Sequence, residues 1–319
     1  MIYVLFVAGF VLLIYGANWL VDGSTSLAKK FGVSNIVIGL TVVSFGTSAP
    51  ELAVNVIASV SGNNDIAIGN VVGSNIANVF FILGVCAVIA PLRVNRYTVW
   101  MEIPISLFAA LVLGFTLNDS IFRGQPDEVS RLDGVVYLVF FTLFLLYALW
   151  ISRKNQEEAQ VPAVQHPALK SLGLIIFGLA GLVLGGKWIV DGAVVIATAI
   201  GMSQAVIGLT IVAIGTSLPE LAASAVAVYK GSTDLAIGNV IGSNIFNTFW
   251  ILGLSSVISP MPYSGDEQVS ILLNIAASAL LFGFLFIGRS HTLRKWQGAA
   301  FLLAYTSYLV FIVNAGKVS

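Results

Sequence analysis

Two glutamates end matching motifs in apolar surroundings, Glu51 in Gly46-Thr-Ser-Ala-Pro-Glu51 and Glu220 in Gly215-Thr-Ser-Leu-Pro-Glu220. Thr47 and Ser48 precede the first, Thr216 and Ser217 the second, so a carboxylate and two hydroxyls recur as a unit. A carboxylate inside a long apolar run is costly unless a cation, a partner or water meets it, so a duplicated one points to ion or proton chemistry. Each motif also holds a glycine and a proline, and proline lacks the amide and clashes with the preceding turn, so the helix should break there. A break at membrane depth frees carbonyls, which is tolerated where they line a cavity or bind an ion. Those carbonyls run from about Ser44 to Thr47 and from Ala213 to Thr216.

Two carboxylates with hydroxyls and carbonyls form an oxygen-only cage of the kind that suits Ca²⁺, which takes about six to eight oxygens. No imidazole or thiolate lies nearby, which argues against zinc or copper. Ser48-Ala-Pro-Glu51 and Ser217-Leu-Pro-Glu220 also fit a capping box, in which the glutamate only closes the start of the second half-helix. Two like charges would then face each other uncompensated, so the cation reading is preferred. Downstream lie Gly69-Asn-Val-Val-Gly-Ser-Asn-Ile-Ala-Asn78 and Gly238-Asn-Val-Ile-Gly-Ser-Asn-Ile-Phe-Asn247. Ser74 with Asn78, and Ser243 with Asn247, share a helix face and read as cavity lining; the glycines, four apart, read as close helix packing.

The elements that carry these residues are membrane spans. Of 319 residues, 58% are hydrophobic and 9% charged, with a mean hydropathy of +0.96, whereas soluble domains are about a quarter charged. Ten runs have the length that about 30 Å of hydrocarbon requires: Ile2 to Leu27, Asn35 to Val60, Ile66 to Ala90, Val99 to Leu117, Gly134 to Ile151, Leu172 to Ala199, Gln204 to Tyr229, Leu235 to Ser259, Val269 to Ile287 and Trp296 to Ala315. The first lacks a basic leader and a small-residue cleavage site and reads as a retained helix. Net charge is zero, so nucleic acid is not an expected partner, and the single cysteine, Cys86, excludes an intrachain disulfide. His166 and His291 fall in polar loops and are expected to be solvated; Asp65 and Asp234 read as helix N-caps, Asp22 and Glu102 as interfacial, and Lys187 with Asp191 as an i,i+4 pair.

An offset of 169 aligns Gly39-Leu-Thr with Gly208-Leu-Thr and Gly73-Ser-Asn with Gly242-Ser-Asn, and about thirty of the 54 positions from Gly39 to Leu92 are identical without a gap. Trp19-Leu-Val-Asp-Gly matches Trp188-Ile-Val-Asp-Gly at the same offset. Each copy holds five spans, and an odd number of crossings turns the second copy over. The expected fold is an all-α polytopic membrane protein of ten transmembrane helices, two inverted-topology five-helix repeats with broken helices 2 and 7 at the core. The first repeat is 1–151, a cytoplasmic linker 152–170, and the second repeat 171–319. Lys29, Lys30, Arg93, Arg96, Arg153, Lys154, Lys170, Lys230, Arg289, Arg294 and Lys295 fall on one side, against Arg123, Arg131 and Lys317 on the other. That bias puts both termini on the non-cytoplasmic side of the cell membrane.

The doubled G-T-S-x-P-E motif with G-N-x-x-G-S-N-x-x-N resembles the cation/calcium exchanger superfamily, in particular its prokaryotic sodium/calcium exchangers. The resemblance covers roughly Leu40 to Ala90 and Leu209 to Ser259 by motif and the whole chain by its five-plus-five topology. It implies alternating-access exchange of Ca²⁺ for Na⁺ with no cofactor and no obligate protein partner. Glu51 and Glu220 would be the central ligands, with backbone carbonyls of Thr47 and Thr216 added to Ca²⁺. Ser48, Ser74, Ser217 and Ser243 would complete flanking Na⁺ sites with the backbone oxygens of Ser44 and Ala213, and Asn78 and Asn247 would line the middle. Some relatives carry aspartate where this chain has Asn247, so the cluster here holds two formal negative charges. The same superfamily includes proton/calcium antiporters, a second reading. An intramembrane enzyme using the carboxylates as acid and base, and a cation channel, fit the symmetric hydroxyl and amide shells and the paired broken helices less well.

Overall fold

The computed structural model describes residues 2–122, 124, 127–154, 166–200, 213–263, 265, 268–287 and 291–315. The described part of the chain is almost entirely helical: α1 Ile2–Phe31, α2 Asn35–Thr47, α3 Ala49–Val60, α4 Asn64–Ile89, α5 Thr98–Thr116, α6 Arg131–Lys154, α7 Ala168–Ala199, α8 Ala213–Thr216, α9 Leu218–Tyr229, α10 Thr233–Ile258, α11 Gln268–Phe284 and α12 Lys295–Ala315. Seven of these are long and apolar enough to cross a membrane, eight counting α2 with α3 as one bent span, and α9 and α11 are shorter apolar helices. Most of the expected linker 152–170, and residues 204–212 of the expected seventh span, lie outside the described residues.

Burial separates an inner pair from the rest. The most apolar stretches of α4 and α10 are 72% and 78% buried, against 33% for α1, α6 and α7 and 22% for α12. Glycine sets how closely the outer helices approach: a Cβ on Gly298 of α12 would lie 2.7 Å from the Gly84 carbonyl oxygen of α4, and one on Gly134 of α6 would lie 2.8 Å from that of Gly253 on α10. α1 and α7 run antiparallel with backbone against backbone. Gly9, Gly16 and Gly23 recur every seven residues and meet Gly185, Gly178 and Ser171, the spacing of a left-handed helix seam.

Two short antiparallel ribbons stitch the halves together. β1 (Leu92–Arg93), after α4, pairs with β4 (Thr292–Leu293), before α12; β3 (Met261–Pro262), after α10, pairs with β2 (Glu128–Val129), before α6. The α3–α4 and α9–α10 turns are closed by Gly62 and Gly231, repeat mates at φ +73° and +80°, the left-handed conformation that costs glycine least.

Several local expectations change. Asp65 and Asp234 lie within the first helical turn, and the N-cap positions belong to Asn63 and Ser232. Lys187 and Asp191 do pair, at 2.6 Å, but Asp22 lies well inside α1 and reaches Lys230 at the end of α9, 2.8 Å away. The His166 amide donates to Ser26 Oγ, and His291 is half-buried with its ring edge-on to Phe286. Glu102, expected at the interface, is buried within the protein: it is 1% exposed, it closes the π turn that opens α5, Thr98–Glu102, and Tyr147 Oη of α6 donates to its Oε1 at 2.6 Å. Removing a donor from a buried carboxylate costs about 1–3 kcal/mol. Tyr147→Phe is therefore expected to lower the melting temperature in detergent while leaving ion affinity unchanged, and an unaltered melting curve would show that this bond contributes nothing.

Candidate ion-binding site

The bent span delivers the first motif. α2 and α3 meet at an angle of 48°, with Ser48 between them at φ −81°, ψ 9° and Pro50 in the first turn of α3. Since Pro50 has no amide, the Gly46 carbonyl loses its usual partner four residues on. The Ser44 carbonyl does not: it accepts the Ser48 amide at 3.0 Å and the Thr47 hydroxyl at 3.4 Å, so the freed stretch is narrower than Ser44 to Thr47. In the second copy the Ser217 amide donates to the Ile214 carbonyl at 3.1 Å. The motif glycines also admit α7. A Cβ on Gly46 would strike Leu179 and one on Gly215 would strike Val190, both side chains of α7.

Neither glutamate acts through a capping box. Ser48 and Ser217 occupy the N-cap positions of α3 and α9, and neither side chain caps its helix. Instead Ser48 Oγ crosses between the repeats, donating to Glu220 Oε1 at 3.0 Å and lying 3.1 Å from Ser243 Oγ. Thr47 Oγ1 donates to Asn239 Oδ1 at 3.1 Å. Glu51 and Glu220 are each 1% exposed, close enough to repel each other, and Thr216 lies within hydrogen-bonding reach of Glu51.

Asn78 and Asn247 sit in π turns that begin at repeat mates, Ala77–Ile82 and Phe246–Leu252. Such a wide turn inserts a residue and re-aims the face that follows, a feature common at functional sites. Asn78 Nδ2 donates to Asn244 Oδ1 at 2.9 Å, and Asn247 Nδ2 donates to Asn75 Oδ1 at 3.1 Å. Each residue of the first bond is 169 positions from its counterpart in the second, so one contact is made twice, once from each sequence repeat to the other. With both amide nitrogens spent on the opposite repeat, Oδ1 of Asn78 and of Asn247 has no hydrogen-bond partner among the described residues. The same is true of Glu51 Oε2, Glu220 Oε2 and Ser217 Oγ. Buried acceptors left without donors are destabilising, and a cation is the group that satisfies several at once.

The structure thus joins Ser48, Ser243 and Glu220 in one buried set of contacts and Thr47 to Asn239 in another, with Glu51 buried as well, while Asn78 and Asn247 make their own pair of buried contacts with Asn244 and Asn75. Ser44, Ser74 and Ser217 are buried on the same helices, and Ala213 and Thr216 stand at the break of the second copy. The copies are not equivalent: Ser48 is closed onto Glu220 and Ser243, whereas Ser217 makes no matching bonds. Sequence reasoning missed a supporting layer. Asn70 Nδ2 donates to Asn55 Oδ1 at 2.6 Å, and Asn239 Nδ2 donates to Ser224 Oγ at 2.9 Å, each pinning the half-helix that bears a glutamate to the helix after it. Asn70, Asn75, Asn239 and Asn244 all belong to the repeated motif, and their identity in both copies was the available signal.

Fold and site together define a multi-pass helical membrane protein built around a buried oxygen cage with two carboxylates. The chain belongs to the sodium/calcium exchanger protein family, whose sequence model matches residues 1–150 and 170–314. It is 36% identical over 317 residues to the putative antiporter CaxA of Alkalimonas amylolytica, covering 96% of this chain and 97% of the relative. To the sodium/calcium exchanger MaX1 of Methanosarcina acetivorans it is 31% identical over 343 residues, covering 97% and 98%. The sodium-calcium exchanger NCX_Mj, in a structure soaked without Na⁺ and Ca²⁺, superposes with a TM-score of 0.82 at 36% identity, covering 98% of both chains. These relatives are transporters, and the enzyme reading of the carboxylate pair falls away.

Proposed function

We propose that this protein is a secondary antiporter exchanging Ca²⁺ for Na⁺ across the cell membrane by alternating access. The observation that carries the reading is that, on the motif residues Glu51, Glu220, Asn78, Asn247 and Ser217, five buried oxygens have no hydrogen-bond partner among the described residues. The two carboxylates give the cage a formal charge of −2, matched by one Ca²⁺ or two Na⁺. Both ions need the same oxygens, so loading one expels the other. Glu51 and Glu220 serve as shared ligands, with the Thr47 and Thr216 carbonyls on Ca²⁺ and Ser48, Ser74, Ser217 and Ser243, helped by the Ser44 and Ala213 carbonyls, on flanking Na⁺. Further support comes from MaX1, a sodium/calcium exchanger by name, and from NCX_Mj, whose structures were soaked with Na⁺, Ca²⁺ and Sr²⁺.

In this reading the chain crosses the membrane ten times as two inverted repeats, with both termini away from the cytoplasm, and α1 with α7 moves across the core to switch access. Ca²⁺ uptake into proteoliposomes, driven separately by an outward Na⁺ gradient and an outward proton gradient, tests the coupling. Uptake on the Na⁺ gradient alone is expected; uptake on the proton gradient alone would make the protein a proton/calcium antiporter, and none with either would remove the cation assignment.

A further inference from the structure

Away from the carboxylates, the β1–β4 ribbon frames a pocket of about 850 Å³ lined by Pro91, Arg93, Thr292, Arg294, Lys295 and Trp296. Three of the six side chains are cationic and none is acidic. Arg93, Arg294 and Lys295 take part in neither of the ion pairs found among the described residues, Lys187–Asp191 and Lys230–Asp22. The frame is held by backbone and buried groups. Arg93 is the register partner of Thr292, the Val94 amide donates to the His291 carbonyl at 3.0 Å, and the Arg294 amide donates to Gln297 Oε1 at 2.7 Å. Gln297, fully buried, donates in turn to the Phe284 carbonyl at 2.8 Å.

The pocket lies where two spans end, just beyond Ile89 of α4 and at the start of α12. Trp296, 52% exposed, has the character of a side chain at the membrane–water boundary. Cations without an ion-pair partner among the described residues, placed where two apolar spans end with an indole and a proline as apolar walls, match a phosphate attached to acyl chains better than a soluble anion. The geometry points to a binding site for the headgroup of an anionic phospholipid, held by Arg93, Arg294 and Lys295. The site draws on a ribbon that joins one sequence repeat to the other, and it stands whichever cation is exchanged.

Native mass spectrometry of the full-length protein in detergent, titrated with phosphatidylglycerol or phosphatidylcholine, tests it. The wild type is expected to retain phosphatidylglycerol in preference. Arg93→Gln/Arg294→Gln/Lys295→Gln should lose about tenfold or more of that affinity, with phosphatidylcholine unchanged, since each basic group near a headgroup contributes about fivefold. Lys29→Gln/Lys30→Gln, which removes basic residues elsewhere, should leave it intact. Should the triple variant fail to fold, Lys295→Gln alone is expected to lose about fivefold and Arg294→Lys to lose little. An equal loss in the Lys29/Lys30 variant, or no loss in the pocket variants, overturns the site; displacement of the lipid by millimolar inorganic phosphate overturns the lipid and makes it a soluble-anion site.

Discussion

Glu51→Gln and Glu220→Gln are each expected to abolish Ca²⁺ transport, to below about 1% of wild type, while leaving a folded protein. At a Ca²⁺–oxygen distance of about 2.4 Å, one unit charge on the ion interacts with one carboxylate charge by about 7 kcal/mol at an effective dielectric of 20. Only about 2 kcal/mol of that, surviving competition with hydration, would already lower affinity about 30-fold, and Ca²⁺ carries two units. Glutamine keeps the shape and the acceptor oxygen that Ser48 meets at Glu220, so packing should persist. The ion-free protein should even gain stability, because a buried charge without a counterion is removed. Thermal unfolding in detergent reads both halves of the expectation: an equal or higher melting temperature without ions, and loss of the upward shift on adding Ca²⁺ or Na⁺. Variants that still transport at a tenth of the wild-type rate would remove the carboxylates from the centre of the mechanism.

Gly238→Ala is expected to do nearly as much damage without touching an ion. The added Cβ would lie 2.5 Å from the Ile36 carbonyl oxygen and 3.0 Å from the Leu40 amide, both backbone atoms of α2. Neither can rotate away, so α10 must move from α2 by close to 1 Å to restore van der Waals contact. The next residue is Asn239, whose Oδ1 holds Thr47 at 3.1 Å, and Ser243, 3.1 Å from Ser48, lies little more than a turn further on. Overpacking of this kind costs about 1–3 kcal/mol in stability, and a 1 Å displacement of positioning groups can cost about a hundredfold in function. A lower melting temperature with at least tenfold weaker Ca²⁺ affinity is expected; unchanged affinity would mean that the crossing is set elsewhere.

What was legible in the sequence followed from chemistry that is local along the chain. The apolar runs are covalently continuous, and most of the described part of each is helical. Proline and glycine act on their own turn, so the bend at Ser48 could be read from Pro50. The repeat offset placed equivalent residues without any knowledge of packing. Contacts between helices are another matter: nothing in one helix says that Asn78 will meet Asn244, or that Ser48 will ignore its own helix for Glu220. The offset gave the hint that such contacts come in pairs but not which partners they join. Glu102 shows the limit plainly. Its place near a helix start suggested the membrane boundary, and nothing local said that it would be buried and meet Tyr147.

The seam between α1 and α7 ties the two copies of the duplication to one mechanical part. Gly16 and Gly178 leave no side-chain layer between the backbones, since a Cβ on Gly178 would lie 2.6 Å from the Leu20 amide nitrogen. One helix cannot travel along or roll over the other without lifting main chain off main chain at three places seven residues apart. α7 in turn leans on both motif glycines, through Leu179 at Gly46 and Val190 at Gly215. A displacement of α7 would therefore be felt at both motif glycines together, like two latches worked by one bolt.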